Sequence, residues 1–350
     1  MFQLHIIQIG LTKKSFRKQI IYSRIKSISF LVFTLFSLFF YSCGLLDAGN
    51  DHNPVRLVTV NKIYSIDTSG SNIKFLTYGN KPQFSPDGNK IYFGNMNTIN
   101  IDGTGLQRLI PQDLSVWDFS FSNDYKKIVF STFYELYIMN TDGSNLVKLI
   151  PKDTSWDFYT NARFSPNDSM IAFQSNFQIS IINSNASNRK ILLYSDSANH
   201  FYNPVFSNDG SKLFFIRRNY FNEYSIYQYN FKTTGYSSIY SAQPTNGLEV
   251  SPDGYLIFSS NNIIQEFNLT TGIATNLTDG CNENFNKLLN KIVYNKINDP
   301  DKAIYIYDIQ TADITKIKSG LPWASIQYSS LSPKGNIIIF EADSSYFVPY

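Results

Sequence analysis

Histidine, the usual base in acyl-transfer chemistry, is scarce in this chain of 350 residues. His5 and His52 lie near the N-terminus, so only His200 belongs to the long region that follows. A Gly-x-Ser-x-Gly sequence, which places a nucleophilic serine on a sharp turn, is absent. The residue types therefore argue against a serine peptidase or esterase.

Metal-binding and carboxylate chemistry leave one class of enzyme open. A metal site needs clustered His, Cys or carboxylates, and turns such as Asp67–Gly70 lack the ligand density of a calcium loop. We therefore predict no metal and no cofactor. Paired carboxylates could serve a glycosidase, and the acids that could supply them are Asp113, Asp118, Asp153, Asp157, Asp196 and Glu283. The sequence predicts a protein that is not an enzyme, with a carbohydrate-active enzyme as the alternative.

The net charge of +3 conceals two regions of opposite sign. Residues 1–43 carry six basic residues and no acidic residue. The remaining 24 basic residues are outnumbered by 27 acidic ones, which leaves this region at −3. Nucleic-acid binding depends on neutralising phosphates, so this balance predicts no nucleic-acid partner. We expect the protein to be a monomer.

The N-terminal segment has the pattern of an export signal. A basic stretch precedes an apolar run over residues 28–41, which as a helix would rise roughly 21 Å and fall short of a hydrocarbon core of ~30 Å. Ser42-Cys43-Gly44 resembles a bacterial lipobox, which implies that Cys43 is acylated and becomes the first mature residue. We predict a signal peptide over 1–42 and a lipidated Cys43 with a tether over 43–57. An uncleaved anchor helix is the alternative, and both place the remaining chain outside the cytoplasm.

The strands that must position any site are encoded by one sequence motif, or phrase, that recurs seven times. Its copies are Phe84–Phe93, Phe121–Phe130, Phe164–Phe173, Phe206–Phe215, Val250–Phe258, Phe285–Tyr294 and Leu331–Phe340. Their first residues lie 35 to 46 residues apart, close to the ~40–45 residues of a four-stranded propeller blade. Each copy contains a turn between two apolar segments, with the sequence Ser-Pro-Asp-Gly in two copies and related residues in most others, and these residue types favour a hairpin.

A second strand–turn–strand phrase follows most copies, for example Leu136–Leu149 and Ile263–Leu277. Four strands per repeat without helical periodicity predict an all-β, seven-bladed β-propeller with four-stranded antiparallel blades. Six blades would result if the worn copy at Phe285 were not a blade. Residues 62–76 supply the phrase missing after the last copy, so the N-terminal strands should complete the last blade and close the ring.

The repeat Phe-Ser-Pro-Asp-Gly-x-Lys-Ile-x-Phe resembles the TolB-type propeller repeat of bacterial periplasmic proteins, over about residues 57–341. We therefore place a TolB-like propeller over 58–350. Such propellers also occur as the non-catalytic part of prolyl-oligopeptidase-like enzymes and as oligogalacturonate lyases. The resemblance implies a fold and leaves the function to be decided by the site.

Aromatic residues gather in the segments that join an outer strand to the next repeat. We predict a ligand or partner face there, formed by Trp117, Asp118, Trp156, Asp157, His200, Tyr202 and Trp323. Trp and Tyr dominate binding hot spots, and stacked aromatics beside acids also suit a sugar. The alternative is that these rings pack between neighbouring blades. Cys281, the only other cysteine, is expected to be a small buried hydrophobe.

These observations predict a lipid-anchored envelope scaffold whose propeller lies in the periplasm or on the cell surface. Its partners would be an envelope protein, a peptide or a glycan, together with the membrane through the N-terminal lipid. A carbohydrate-active enzyme, its sugar-binding accessory, and a purely structural envelope protein are the competing interpretations.

Overall fold

The computed structural model describes residues 55–151, 157–244, 247–321 and 324–349, without the side chains of 55–58, 282 and 344–349. The predicted signal peptide, Cys43, Asp153, Trp156 and Trp323 lie outside the described residues. The chain divides into two compact units, and the larger one spans Thr59–Ser345. Among the described residues, no helix is long and apolar enough to cross a membrane.

Seven four-stranded antiparallel sheets make up the fold, which confirms the predicted seven-bladed propeller. Blade 1 consists of β3 (Gln83–Phe84), β4 (Lys90–Phe93), β5 (Asn97–Asn100) and β6 (Gln107–Arg108). Blade 2 consists of β7 (Asp118–Phe121), β8 (Lys127–Ser131), β9 (Leu136–Asn140) and β10 (Val147–Ile150). Blade 3 consists of β11 (Tyr159–Phe164), β12 (Met170–Ser175), β13 (Gln178–Asn183) and β14 (Lys190–Leu193).

Blade 4 consists of β15 (Asn199–Phe206), β16 (Lys212–Asn219), β17 (Tyr224–Asn230) and β18 (Gly235–Ser241). Blade 5 consists of β19 (Glu249–Val250), β20 (Tyr255–Ser260), β21 (Ile263–Asn268) and β22 (Ala274–Asp279). Blade 6 consists of β23 (Cys281–Asn286), β24 (Lys291–Asn295), β25 (Ile304–Asp308) and β26 (Ile314–Ile317). Blade 7 combines β27 (Ser325–Leu331) and β28 (Ile337–Pro349) with β1 (Val55–Asp67) and β2 (Lys74–Tyr78).

Blade 7 closes the ring as the repeat count predicts. Its strands follow the order β2-β1-β28-β27, so the N-terminal pair completes a sheet begun by the C-terminal pair. The worn copy at Phe285 forms a full blade, which settles the count at seven rather than six. Strand β1 begins at Val55, so its first residues overlap the segment predicted as a tether.

The apolar core lies between the blades. Seven clusters of buried side chains each join two neighbouring blades, and one of them joins blade 7 to blade 1 through Ile339 and Ile91. The last residue of every repeat is an aromatic ring at most 2% exposed, namely Phe93, Phe130, Phe173, Phe215, Phe258, Tyr294 and Phe340. The repeat therefore conserves its frame because each blade needs the same ring to fill the gap to its neighbour.

The turn of each repeat is held by its own side chains. In blade 4 the Ser207 hydroxyl donates to Asp209 Oδ1 at 2.6 Å and accepts from the Lys212 backbone N–H at 2.9 Å. Hydrogen bonds from Ser207 and Ser211 lower the pKa of Asp209 to about 2. Gly210 follows at φ 71°, a conformation that glycine adopts without strain. Ser, Asp and Gly thus recur because they stabilise this turn.

Neighbouring turns are linked where Asn replaces Pro after the serine. Asn123 of blade 2 donates its side-chain amide to Ser165 O and to Asp168 Oδ1 of blade 3, both at 2.9 Å. Asp168 also accepts the backbone N–H groups of Asn123 at 2.7 Å and Asp124 at 2.9 Å. Asn208 makes the equivalent bond from blade 4 to Ser251 O of blade 5, at 2.8 Å. The substitution therefore ties adjacent blades together at one end of the ring.

We predict that Asp168→Ala lowers the free energy of unfolding by about 1–2 kcal/mol, because it removes the carboxylate that joins blade 3 to blade 2. For a domain of this size the melting temperature should fall by about 2–8 °C in a calorimetric scan. Asp168→Asn, which keeps one acceptor oxygen, should lie between the two. An unchanged melting temperature in Asp168→Ala would contradict the link.

Candidate functional site

The two ends of the ring are chemically different. Because the strands of a blade alternate in direction, the repeat turns and the third-to-fourth-strand turns lie at one end, the turn face. The connections between second and third strands, and those between an outer strand and the next blade, lie at the other, the loop face. The described residues of the segments predicted to carry the ligand face, including Trp117, Asp157 and His200, belong to the loop-face ends of their blades.

Exposed aromatic side chains concentrate on the loop face. Within the described residues they are Tyr78, Trp117, Phe133, Tyr194, Tyr220, Phe221 and Tyr328. On the turn face of the described chain, Tyr125 is exposed together with aliphatic residues such as Leu106 and Leu288. Two more exposed aromatics, Phe75 and Tyr236, lie on the outer strands β2 and β18, near the ends that adjoin the turn face. Single exposed apolar residues are ordinary, whereas aromatic residues gathered at one end indicate an interaction surface.

The largest of these groups is a tilted stack that we call the Trp117 cluster, formed by Trp117, Phe133, Tyr134 and Phe158. The Trp117 ring lies 5.0 Å from Phe133, whose ring lies 5.7 Å from Phe158. Tyr134 lies 5.5 Å from Phe158. Trp117 remains 49% exposed and Phe133 47%, so the cluster is packed on one side and open to solvent on the other.

Lys81 lies between the Trp117 cluster and Tyr328 of blade 7. Its ammonium lies 5.5 Å from the Trp117 ring centre and 5.9 Å from that of Tyr328, and it donates to Trp117 O at 3.2 Å. Its backbone N–H donates to the buried Glu341 carboxylate at 2.9 Å, and burial raises the pKa of Glu341. A cation therefore lies between two aromatic rings at the entrance to the central channel.

A residue with left-handed backbone conformation recurs in or just before the inner strands, at the depth of Lys81 and Tyr328. Lys81, Asn161, Asn203 and Tyr328 each lie three residues before the first residue of a repeat copy, with φ between 48° and 52°. Three of them fall at bulges in the strand pairing. Asn adopts this conformation readily, while for Lys and Tyr it is uncommon. At Asn161, Asn203 and Tyr328 the bulge changes the direction of the side chain near the channel entrance, as bulges beside binding sites often do.

A second group, the His200 cluster, combines His200, Tyr202, Phe177 and Arg218. The imidazole stacks on Phe177 at 4.5 Å, and Arg218 Nη2 lies 2.6 Å from His200 Nδ1. Arg218 also lies 5.9 Å from the Tyr202 ring centre. Burial and then the charge of Arg218 lower the pKa of His200, against a smaller opposing effect of Asp196. The imidazole is therefore neutral at pH 7 and accepts from the guanidinium through Nδ1.

Charged side chains line the central channel below the loop face. Asp118 Oδ2 lies 3.4 Å from Arg163 Nη1, which also donates to Ala162 O at 3.0 Å. The Glu249 side chain of blade 5 is accessible to solvent but lies inside the channel, with protein atoms on many sides. The resulting desolvation raises the pKa of Glu249, while the positive charges of Arg163 and Lys287 oppose the rise. Arg163 and Glu249 belong to blades 3 and 5, which are not neighbours, and their charges influence each other through the channel.

The other predicted acids are dispersed. Asp157 accepts a hydrogen bond from the Asn176 side chain, and Asp196 holds the loop at Ala198 and Asn199. Asp113 is exposed on the loop face. Among the described residues, no group of three or more His, Cys, Asp or Glu is arranged to hold a metal ion.

Cys281 is half-buried rather than fully buried as expected, because it begins the inner strand β23 at the loop face. Burial, and then the charge of Glu283, raise the pKa of its thiol.

Several residues of the site were missed from the sequence. Phe133, Tyr134 and Phe177 lie in connections between second and third strands, which also reach the loop face. The adjacent Phe133-Tyr134 pair between two strands was a usable signal. Lys81 and Tyr328 depend on a bulge, and Arg163 faces a channel, so neither arrangement has a sequence signature.

Comparisons with known proteins support the fold. No protein-family model and no curated protein sequence matches the chain. An oligogalacturonate lyase in complex with manganese is 12% identical, with a TM-score of 0.53 over 77% of this chain and 79% of that one. The Cps50 (Swd1) propeller domain of Myceliophteria thermophila is 14% identical, with a TM-score of 0.54 over 75% and 95%. TolB from Acinetobacter baumannii is 14% identical, with a TM-score of 0.46 over 75% and 78%. The chain thus resembles solved β-propellers, and identities this low show the fold alone.

We predict that His200 titrates below its ordinary value of 6.5, since burial and Arg218 both disfavour the imidazolium. Arg218→Gln should move the midpoint back towards 6.5 because it removes the neighbouring positive charge. Histidine NMR signals followed against pH, assigned with His200→Asn, measure both values. A wild-type midpoint at or above 6.5 would show that the Arg218 contact does not persist in solution.

Proposed function

We propose that this protein is a non-catalytic binding scaffold of the cell envelope, anchored by a lipid on Cys43, that holds a protein, peptide or glycan on the loop face of its propeller. The observation that carries the proposal is the one-sided distribution of exposed aromatics. Of ten such residues in the described chain, seven lie on the loop face, one lies on the turn face, and two lie on outer strands near the turn face. Large rings that are rigidly packed beneath and open above provide contact area at a small entropic cost.

The polar surroundings of the aromatics support a ligand with mixed chemistry. Lys81 lies beside Trp117, Arg218 lies beside Tyr202, and Asp157 and Asp196 are within the same set of loops. Interfaces of this kind combine an aromatic centre with a polar rim. A protein or peptide segment and a glycan both offer apolar faces and hydrogen-bonding edges to such a surface.

A carbohydrate-active enzyme is the second candidate, favoured by Asp118 and Glu249 in the same channel. Glycoside hydrolysis uses two carboxylates with separated pKa values, and enclosure raises that of Glu249. A glycan array followed by a cleavage assay on each bound glycan tests this candidate. Release of reducing ends that is lost in Glu249→Gln would replace the scaffold with an enzyme.

We predict that Trp117→Ala combined with Phe133→Ala weakens capture of the envelope partner at least tenfold in a pull-down with the soluble propeller, residues 50–350. Truncation removes the open side of the Trp117 cluster, where hot-spot residues typically contribute 2 kcal/mol or more. Leu106→Ala combined with Leu288→Ala is the matched control, since these residues are similarly exposed on the turn face.

Equal capture by the aromatic variant and by the control would contradict a loop-face site. A drop of many degrees in melting temperature for the aromatic variant would instead assign Trp117 and Phe133 to packing between blades.

We predict that Cys43→Ser abolishes incorporation of radiolabelled palmitate, because it removes the thiol that would be acylated. Cys281→Ser is the control, because Cys281 lies in the propeller. Continued labelling of Cys43→Ser would exclude this anchor.

A further inference from the structure

Seven equivalent positions form a ring around the channel, one residue before the first residue of each repeat copy. They pair with equivalent residues of the second strands, so they lie at the same depth. This channel ring consists of Gln83, Ser120, Arg163, Val205, Glu249, Asn284 and Ser330. Six of the seven are polar, whereas the residues that follow them are apolar and pack between blades.

Arg163 presents an unused hydrogen-bonding edge to this channel. Its Nη1 atom makes both contacts of the guanidinium, with Asp118 and with Ala162 O. Nε and Nη2 have no hydrogen-bond partner among the described residues. These two atoms form the side of the guanidinium that binds a carboxylate through two parallel hydrogen bonds. Asp118 and Ala162 hold the group in place, which leaves this edge preorganised.

The charges around Arg163 disfavour a multiply charged anion. Arg163 carries one positive charge, Asp118 and Glu249 carry negative charges, and Lys287 adds a positive charge that acts on Glu249. A doubly charged phosphate would meet stronger repulsion from these carboxylates than a planar carboxylate would. Glu249 has no hydrogen bond among the described residues, so it can accept from a hydroxyl or N–H group of the same ligand.

The channel ring is also within reach of the loop face. Trp117 is three residues before Ser120 along the start of blade 2, a rise of roughly 10 Å for an extended chain. A ligand that contacts the Trp117 cluster can therefore extend one terminal group as far as Arg163.

We infer that the channel ring is a receptor for a carboxylate group, bound through two hydrogen bonds by Arg163, on the ligand that the loop face holds. This inference rests on the proposed binding function and specifies the ligand's chemistry. A peptide C-terminus and a uronic acid both carry the required group beside hydrogen-bond donors.

Calorimetric titration of the full mature protein with four small probes tests the inference. The probes are trialanine with a free carboxylate, its C-terminal amide, glucuronate and glucose. We expect trialanine or glucuronate to bind, and the matching neutral probe to bind at least tenfold more weakly. Arg163→Lys keeps the charge but loses the planar edge, and it should weaken the carboxylate probe by about tenfold or more.

Glu249→Gln supplies a test of opposite sign. Removing its negative charge should tighten the binding of the carboxylate probe several-fold, because the repulsion by Glu249 is lost. Arg189→Lys, an exposed position at an outer strand, is the matched control and should bind as the wild type does. A melting scan of each variant shows whether the fold is retained.

The outcomes separate this inference from the proposed function. Equal binding of charged and neutral probes, no binding by the wild type at millimolar concentration, or wild-type affinity in Arg163→Lys would each overturn the carboxylate receptor. If the envelope partner is still captured in a Trp117-dependent way, the scaffold function stands without it. If capture also fails, both are wrong. Preference for trialanine identifies a peptide terminus, and preference for glucuronate identifies an acidic glycan.

Discussion

No blade of this protein can bury its own apolar surface. Each four-stranded sheet has two apolar faces, and each of the seven core clusters draws its residues from two adjacent blades. The requirement is met only when every blade has a neighbour on both sides, and this is why the ring must close. The other features follow from closure: the channel at the axis, the inner strands that line it, and two ends that carry different connections.

Much of this architecture could be predicted from the sequence because it is repeated. One copy of Phe-Ser-Pro-Asp-Gly-Asn-Lys-Ile-Tyr-Phe is an ordinary hairpin, but seven copies at near-constant spacing imply a closed array. The completion of blade 7 by β1 and β2 could be predicted from the phrase that the last copy lacks. Even the worn copy at Phe285 kept the apolar frame, and Tyr294 still fills the position of the buried ring.

The site was predicted only in part, and the reason is geometric. Trp117, His200 and Tyr202 could be assigned to the loop face because connections of one kind must emerge at one end. Their partners come from other blades or from second-to-third-strand connections, so Phe133 beside Trp117 and Phe177 beside His200 depend on how the blades pack. The contact of Lys81 with Tyr328 depends on left-handed backbone at both residues, and at Tyr328 also on a strand bulge, neither of which residue type announces. The influence of Arg163 on Glu249 acts through a channel that exists only after closure.

The sheet that joins both ends of the chain has a kinetic consequence. In the turn after β1, the Thr68 backbone N–H donates a hydrogen bond to Asn336 O, which lies 268 residues further along the chain. Contacts of such long range fold slowly, since a large loop must be ordered before any interaction rewards it. A chain synthesised from its N-terminus can pair β1 with β2, but the other edge of β1 stays unpaired until the final hairpin appears. During that interval this open edge is vulnerable to aggregation and proteolysis, so a chaperone that shields an unpaired strand edge would act on this protein at its slowest step.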